Sequence, residues 1–299
     1  MISVVGHTAI DHICQVSHLP GPNASASIFD RTIAFGGGAA NIAVGIALLG
    51  GDVSLVSAVG GDFKGSDYDI RMRDLGIIQE FFVAPTKHTA TAFMFTNPSG
   101  DQMTYFEWGA SQLFEESAPP VLPFVHMATA DPSFNVKVAK LSGYASFDPG
   151  QDLHRYSAGQ LTEIFDSIDL LIANHHEYAG MCKTLGIGHE TLLSRVPMAI
   201  ETRGGEGCTL YESGKEIVIP AVMVTCVDPT GAGDAFRAGY LTAYAGGYSA
   251  ADSCRIGTIT ASFVVERSGC QTGLPDWESM KERYIRIFGN FPTPGKVRA

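Results

Sequence analysis

The chain has 299 residues, with 20 Lys and Arg against 31 Asp and Glu, a formal net charge of −11, and 45% apolar to 17% charged residues. This balance is that of a globular protein and excludes a wholly disordered chain. An acidic surface argues against binding nucleic acid or an anionic membrane, and it leaves room for a phosphorylated ligand held by backbone amides and a divalent cation. The length suits one large domain or two of roughly 150 residues. The 6 cysteines stand singly, as in a protein with reduced, mostly buried thiols, and no Cys/His cluster has zinc-ligand spacing. Met1–Gly6 lacks a charged leader segment, and no apolar run reaches about 18 residues. The expectation is a cytoplasmic protein without a membrane span.

In chain order, residues 2–5 read as a buried strand. Residues 12–35 carry Leu19-Pro20-Gly21-Pro22-Asn23 and then polar–apolar alternation. A helix over 41–49, a strand over 53–58 and a helix over 66–75 follow. Residues 89–107 read as a hairpin, Thr91–Thr96 and Met103–Glu107 about an Asn97-Pro98-Ser99-Gly100-Asp101 turn. Short strands at 125–128 and 145–147 flank a helix over 136–141. A strand at 170–173, a helix over 176–185 and a strand at 198–201 lead to a second hairpin over 208–219. Helices over 233–245, 250–266 and 277–288 close the chain. Apolar strands alternating with amphipathic helices predict an α/β fold: a doubly wound, mainly parallel sheet with helices on both faces. The segments at about 12–35 and 89–107 break the rhythm and predict a small β-sheet lid on a single domain spanning 1–299.

The segment with most chemistry is Asp228-Pro229-Thr230-Gly231-Ala232-Gly233-Asp234. Thr230 is the expected N-cap. Three small residues at a helix start let backbone N–H groups approach an anion, with the positive helix end behind them. Asp234, in the first turn, suits a base that takes a proton from an attacking hydroxyl; an isolated Gly-Ala-Gly-Asp would sooner be read as a capped helix start, and the accompanying motifs reverse that preference. Gly36-Gly37-Gly38-Ala39-Ala40-Asn41 also opens a helix, with Asn41 able to donate to and accept from a hydroxyl. Asp11 follows the first strand, where open α/β sheets bind ligands. Asn174-His175-His176-Glu177 and Thr202-Arg203-Gly204-Gly205-Glu206-Gly207 each follow a strand. Glu177 could act on magnesium through water; the two histidines lack a third metal partner. P-loop, dinucleotide-binding, nucleophile-elbow and protein-kinase motifs are absent.

The ordered set Gly-x-x-x-x-Asp, Gly-Gly-x-x-x-Asn, Asn-x-x-Glu, Thr-x-Gly-x-x-Gly and Asp-Pro-Thr-Gly-Ala-Gly-Asp resembles the ribokinase-like (PfkB) carbohydrate and nucleoside kinases along essentially the whole chain. The resemblance implies ATP, Mg²⁺ and in-line transfer of the γ-phosphoryl group to a primary alcohol. It makes Asp234 the catalytic base and Gly231, Ala232 and Gly233 the anion hole. Asp11, Gly37, Gly38 and Asn41 match the sugar-hydroxyl site. Asn174 and Glu177 match the magnesium and phosphate region, and Thr202, Gly204 and Gly207 match nucleotide contacts. Asp228 and Thr230 match a region that holds a monovalent cation in some members. The loop Gly269–Gly273 stands where the family approaches adenine. Gly6–Asp11, Tyr105–Ala110, Ser146–Asp152 and Thr260–Glu266 resemble the archaeal nucleoside kinases of broad specificity. That branch phosphorylates the 5′-hydroxyl of cytidine, inosine, guanosine and adenosine.

A nucleoside needs an aromatic slot for its base, and Phe29, Phe35, Phe93, Phe95, Tyr105 and Phe106 lie in the lid segments. Lid core and subunit packing can account for the same residues. Asn23 and Gln102 are candidate base contacts, and Gln151 a candidate near the phosphates. The family resemblance implies a homodimer through the lid. The alternative is a ribokinase-type sugar kinase; a ligand-binding protein on the same fold would have no need for Asp234.

Overall fold

The computed structural model describes residues 1–299. The strands are β1 (Ile2–Val5), β2 (Ala9–Val16), β3 (Ile28–Gly36), β4 (Val53–Gly60), β5 (Ile78–Ala84), β6 (Ala90–Thr96), β7 (Gln102–Glu107), β8 (Phe124–Met127), β9 (Tyr144–Phe147), β10 (Leu170–Asn174), β11 (Met198–Thr202), β12 (Cys208–Glu212) and β13 (Lys215–Ile219). The helices are α1 (Gly38–Leu48), α2 (Asp67–Asp74), α3 (Pro132–Leu141), α4 (Ala158–Phe165), α5 (His175–Leu185), α6 (His189–Leu193), α7 (Ala232–Ala245), α8 (Ala250–Val264) and α9 (Trp277–Phe288).

Nine strands form one sheet in the order β13-β12-β11-β10-β9-β8-β1-β4-β5. It is parallel from β11 to β5, and the β12–β13 hairpin adds an antiparallel edge. Alternate strand residues feed opposite faces, as the period of two requires. Val4, Leu170 and Ile172 pack with α1, α7 and α8; Val5, Leu171 and Ala173 pack with α3, α4 and α5. Both faces are covered, which explains the continuous apolar runs of these strands. After β1 the chain winds one way through β4 and β5, and later the other way through β8 to β11. The switch point lies at the carboxyl ends of β1 and β8, where such sheets open a crevice.

The helices start where side chains can hold their free amides. Ser66 caps α2, Asp131 caps α3 with Pro132 in its first turn, and Ser157–Gln160 and Asn174–Glu177 make reciprocal capping boxes on α4 and α5. The lid is a separate sheet in the order β3-β2-β6-β7. Its strand groups pair as the sequence predicts, with β2 and β6 parallel at the centre. His7, buried where the chain enters the lid, bonds Ser111 at 2.9 Å just beyond the lid's exit and Asp152 at 3.0 Å in the body. No helix is long and apolar enough to cross a membrane.

Local features also differ from the expectation. Thr230 does not cap α7: the N-cap is Gly231 at φ 81°, and Thr230 instead donates its N–H to Asp228 Oδ1. A left-handed residue is needed there, and a Cβ on Gly231 would also meet the Cys270 backbone at 2.8 Å. The parallel strand β5 and the helix α4 lie outside the elements expected from the sequence; the IQEFFVA pattern of β5 lacks strict alternation although Pro85 follows it.

Candidate active site

The amino end of α7 points into the crevice. The N–H groups of Gly231, Gly233 and Asp234 make no hydrogen bond within the chain, whereas that of Ala232 turns back to the Pro229 carbonyl at 3.2 Å. The free amides of the cradle are therefore those of Gly231, Gly233 and Asp234, and Ala232 shapes the turn. The Asp234 carboxyl is half-buried. Burial pushes it up to about 6, against the opposing pull of Arg237 and a hydrogen bond from Asn41. A carboxylate tuned to this range can accept a proton near neutral pH.

The start of α1 faces the same point. Gly37 has φ 92°, and a Cβ there would sit 2.4 Å from the His7 carbonyl oxygen, so the chain turns tightly against the end of β1. A Cβ on Gly38 would lie 3.7 Å from Asp234 Oδ1, which measures how closely the two helix starts approach. Asn41 donates from Nδ2 to Asp234 Oδ2 at 2.9 Å. Asp11, third residue of β2, is buried against Gly36, where any Cβ would strike its carboxyl group. Burial first, then the Asp234 charge, pushes Asp11 up to about 7.

Three further charged groups complete the floor. Arg237, one turn after Asp234, pairs with Asp148 at 2.6 Å and lies 4.0 Å from Glu177. It is almost fully buried, and a Cβ on Gly233 would meet its Nη1 at 2.6 Å. Glu177 Oε2 accepts the Asn174 N–H at 2.7 Å, while Asn174 Oδ1 accepts the Glu177 N–H at 2.9 Å. Burial and the Asp148 charge push Glu177 up to about 7. One cation thus faces the carboxyl groups of Asp148, Glu177 and Asp234. Asn174 pairs in register with Thr202 on β11, and the turn after Thr202 carries Gly204 at φ 53° and Gly207 at φ 97°.

The remaining candidates make no side-chain hydrogen bond to this cluster. Gln102 bonds Thr96, which pairs with Gln15, four residues along β2 from Asp11. At strand rise this is about 13 Å from the level of Asp11. Asn23 sits in an exposed turn at φ 61°, and Gln151 is exposed in the 3-10 turn after Asp148. Among the lid aromatics, Phe35 stacks on Tyr68, Phe106 meets His7, and Phe29 and Tyr105 are exposed. His175 and His176 are exposed, and no group of three or more His, Cys, Asp or Glu could hold a metal. Arg237 and Asp148 were not legible as site residues, since they and Glu177 come from three separate places in the chain: the end of β9, α5 and α7. Gln271 was legible only as part of its loop.

Over residues 1–277 the chain matches the pfkB family of carbohydrate kinases. It belongs to that family. The nucleoside kinase of Methanocaldococcus jannaschii is 43% identical over 94% of this chain and 96% of that protein. That of Methanothermobacter thermautotrophicus is 40% identical over 96% of each. The crystal structure of the M. jannaschii enzyme, described as an archaeal member of the ribokinase family, superimposes on this pfkB chain with a TM-score of 0.90, covering 95% of it and 98% of the other. Burkholderia thailandensis nucleoside kinase in complex with inosine gives 0.91 at 28% identity, covering 99% and 100%. The pfkB chain thus has the ribokinase-like fold: a doubly wound sheet with a separate small sheet.

Proposed function

We propose that this pfkB protein is a nucleoside kinase that transfers the γ-phosphoryl group of ATP to the 5′-hydroxyl of a nucleoside. The observation that carries the reading is the placement of Asp234. Its carboxyl group stands beside free helix-start amides, next to Asp11, at the crevice of the sheet. The similarity at 43% and 40% to nucleoside kinases supports the choice of acceptor.

In this reading the whole chain, 1–299, is one catalytic unit with the lid over the crevice. Asp11, with the Gly37–Gly38 turn and the remaining hydrogen-bonding capacity of Asn41, holds the ribose hydroxyls. Asp234 accepts the 5′-hydroxyl proton as the oxygen–phosphorus bond forms and the β–γ bridging bond breaks, releasing ADP. The amides of Gly231, Gly233 and Asp234 neutralise the charge that develops on the transferring group. Asn174, Thr202, Gly204, Gly207 and Gln151 line the path of the nucleotide along the carboxyl edge of the sheet.

The donor set fits magnesium held through water. Glu177 keeps one oxygen without a protein partner, and the surrounding carboxyl groups outnumber the single Arg237. Bound there, the ion supplies charge neutralisation on the phosphates. A monovalent cation fits less well. Asp228 Oδ1 already accepts from Thr230, and Oδ2 from Gly269 and Ser268. These bonds outweigh burial and hold Asp228 below the usual carboxylate range. The exposed lid residues Ile28, Phe29, Ile33, Met103 and Tyr105 support pairing of two lids in a homodimer. Such pairing gives Asn23 and Gln102 a route to the base that one chain does not.

The test is ADP release from Mg-ATP across cytidine, inosine, guanosine, adenosine and ribose. Turnover of nucleosides but not ribose is expected. Turnover of ribose alone would replace the reading with a sugar kinase, for which the Lactococcus lactis ribokinase, 25% identical, is a relative.

A further inference from the structure

We infer that Gln271 is a positioning residue for the base: it fixes which end of the Asn41 amide faces Asp234. The inference rests on the proposed phosphoryl transfer and deepens it. Asn41 contacts two groups, Asp234 through Nδ2 at 2.9 Å and Gln271 Nε2 through Oδ1 at 2.9 Å. An amide turned over has nearly the same shape, so its neighbours decide its direction.

Here every direction is set by groups with a single hydrogen-bonding role. Tyr68 is fully buried and donates its hydroxyl hydrogen to the Gly36 carbonyl at 3.0 Å. A carbonyl can only accept, so Tyr68 has only lone pairs left for Gln271, whose Nε2 donates to it at 2.8 Å. Arg71 can only donate, and its Nε faces Gln271 Oε1 at 3.4 Å. The Gln271 amide is thereby fixed with its nitrogen towards Asn41. Asn41 must answer with its oxygen, and its nitrogen is left for Asp234. The polarity runs unbroken from the Gly36 carbonyl and Arg71 to the base, across α2, the 269–273 loop, α1 and α7.

The loop that carries Gln271 is itself tied to the anion cradle. Asp228 holds Gly269 N at 3.2 Å and Ser268 at 3.4 Å, and Cys270 packs on Gly231. Gln271 is 8% exposed, and its side chain hydrogen-bonds Asn41, Tyr68 and Arg71; Asn41 is the partner that reaches Asp234, so Gln271 acts through Asn41.

The experiment compares Gln271→Met and Gln271→Glu with wild type, and the double variant Gln271→Met/Asn41→Ala with Asn41→Ala alone, each checked for folding by near-UV circular dichroism. Gln271→Met should lower kcat about tenfold with the KM for nucleoside and ATP changed less than about threefold. In the Asn41→Ala background the same change should have an effect below about twofold, because the residue it acts through is gone. Gln271→Glu offers only acceptors when ionised and turns Asn41 over, so it should lower kcat further. Full effects of Gln271→Met in both backgrounds, or an unchanged kcat in both Gln271 variants, would overturn the inference. Gln271→Glu, nearly identical in shape, carries the test if Gln271→Met does not fold. A wild-type protein that phosphorylates no nucleoside would instead refute the functional reading on which the inference rests.

Discussion

Asn41 Nδ2 and Asp234 Oδ2 are joined across 2.9 Å although 193 positions separate them. The bond ties the first turn of α1 to the first turn of α7, so the acceptor-side glycine turn and the anion cradle form one rigid corner. It also favours the ionised carboxyl. Burial drives Asp234 upward and the Asp148 charge adds to it, while Arg237 and Asn41 pull it down; the balance is about 6. A base so placed is ionised at neutral pH and still basic enough to take a proton.

The rate should follow that carboxyl. At saturating nucleoside and Mg-ATP, kcat should be level above pH 7 and fall about tenfold per unit well below pH 6. Stopped-flow or steady-state rates between pH 5 and 8 check this, and a flat profile down to pH 5 would remove Asp234 from the role.

The same shift has a cost in stability. Asp234 titrates near 3.8 when unfolded and about 6 when folded, so the folded state is penalised once the group must ionise. The penalty is absent below about pH 4 and complete above about pH 6. Asp234→Asn removes it, so the variant should be more stable than wild type at pH 7 by up to about 2–3 kcal/mol, with the difference vanishing near pH 4. Denaturant unfolding at the two pH values is the measurement.

Gly36 leaves no room beside Asp11: a Cβ would lie 2.0 Å from Oδ2. Gly36→Ala should swing the Asp11 carboxyl off the ribose and raise the nucleoside KM at least tenfold, while ATP binding stays within a few fold. Calorimetric titration of each ligand separates the two.

Much of this corner was legible in the sequence for local reasons. Three glycines before Asn41, and Gly-Ala-Gly before Asp234, announce helix starts that backbone and ligand can approach. The hairpin around Asn97–Asp101 is marked by its Asn-Pro-Ser-Gly-Asp turn between two strand-forming runs, and 277–288 has both a capping Asp276 and a closing Gly289. What escaped was long-range. Tyr68 and Gln271 are 203 positions apart, and Arg71 and Gln271 are 200 apart. Nothing local distinguishes Gln271 from any polar loop residue, or Arg237 from any helical arginine. Their roles follow from a sheet that brings separate loops to one edge. The turned-back Ala232 amide likewise depends on a turn geometry that composition does not reveal.

Arg237 should prove costly to remove. Its guanidinium is 2.6 Å from Asp148, and both side chains are more than nine-tenths buried. Arg237→Met leaves that carboxyl uncompensated and should destabilise the fold by roughly 3–5 kcal/mol. Arg237→Met with Asp148→Leu should recover much of the loss, as thermal unfolding of wild type and the two variants would show.

The proposed phosphoryl transfer depends above all on Asp234 as the base. The measurement is ADP formed from Mg-ATP and inosine by wild type and Asp234→Asn, with inosine binding followed by calorimetry in parallel. The variant should bind inosine within a few fold of wild type and turn over roughly 10²–10⁴-fold more slowly. A variant that binds inosine and turns it over at the wild-type rate would contradict the account.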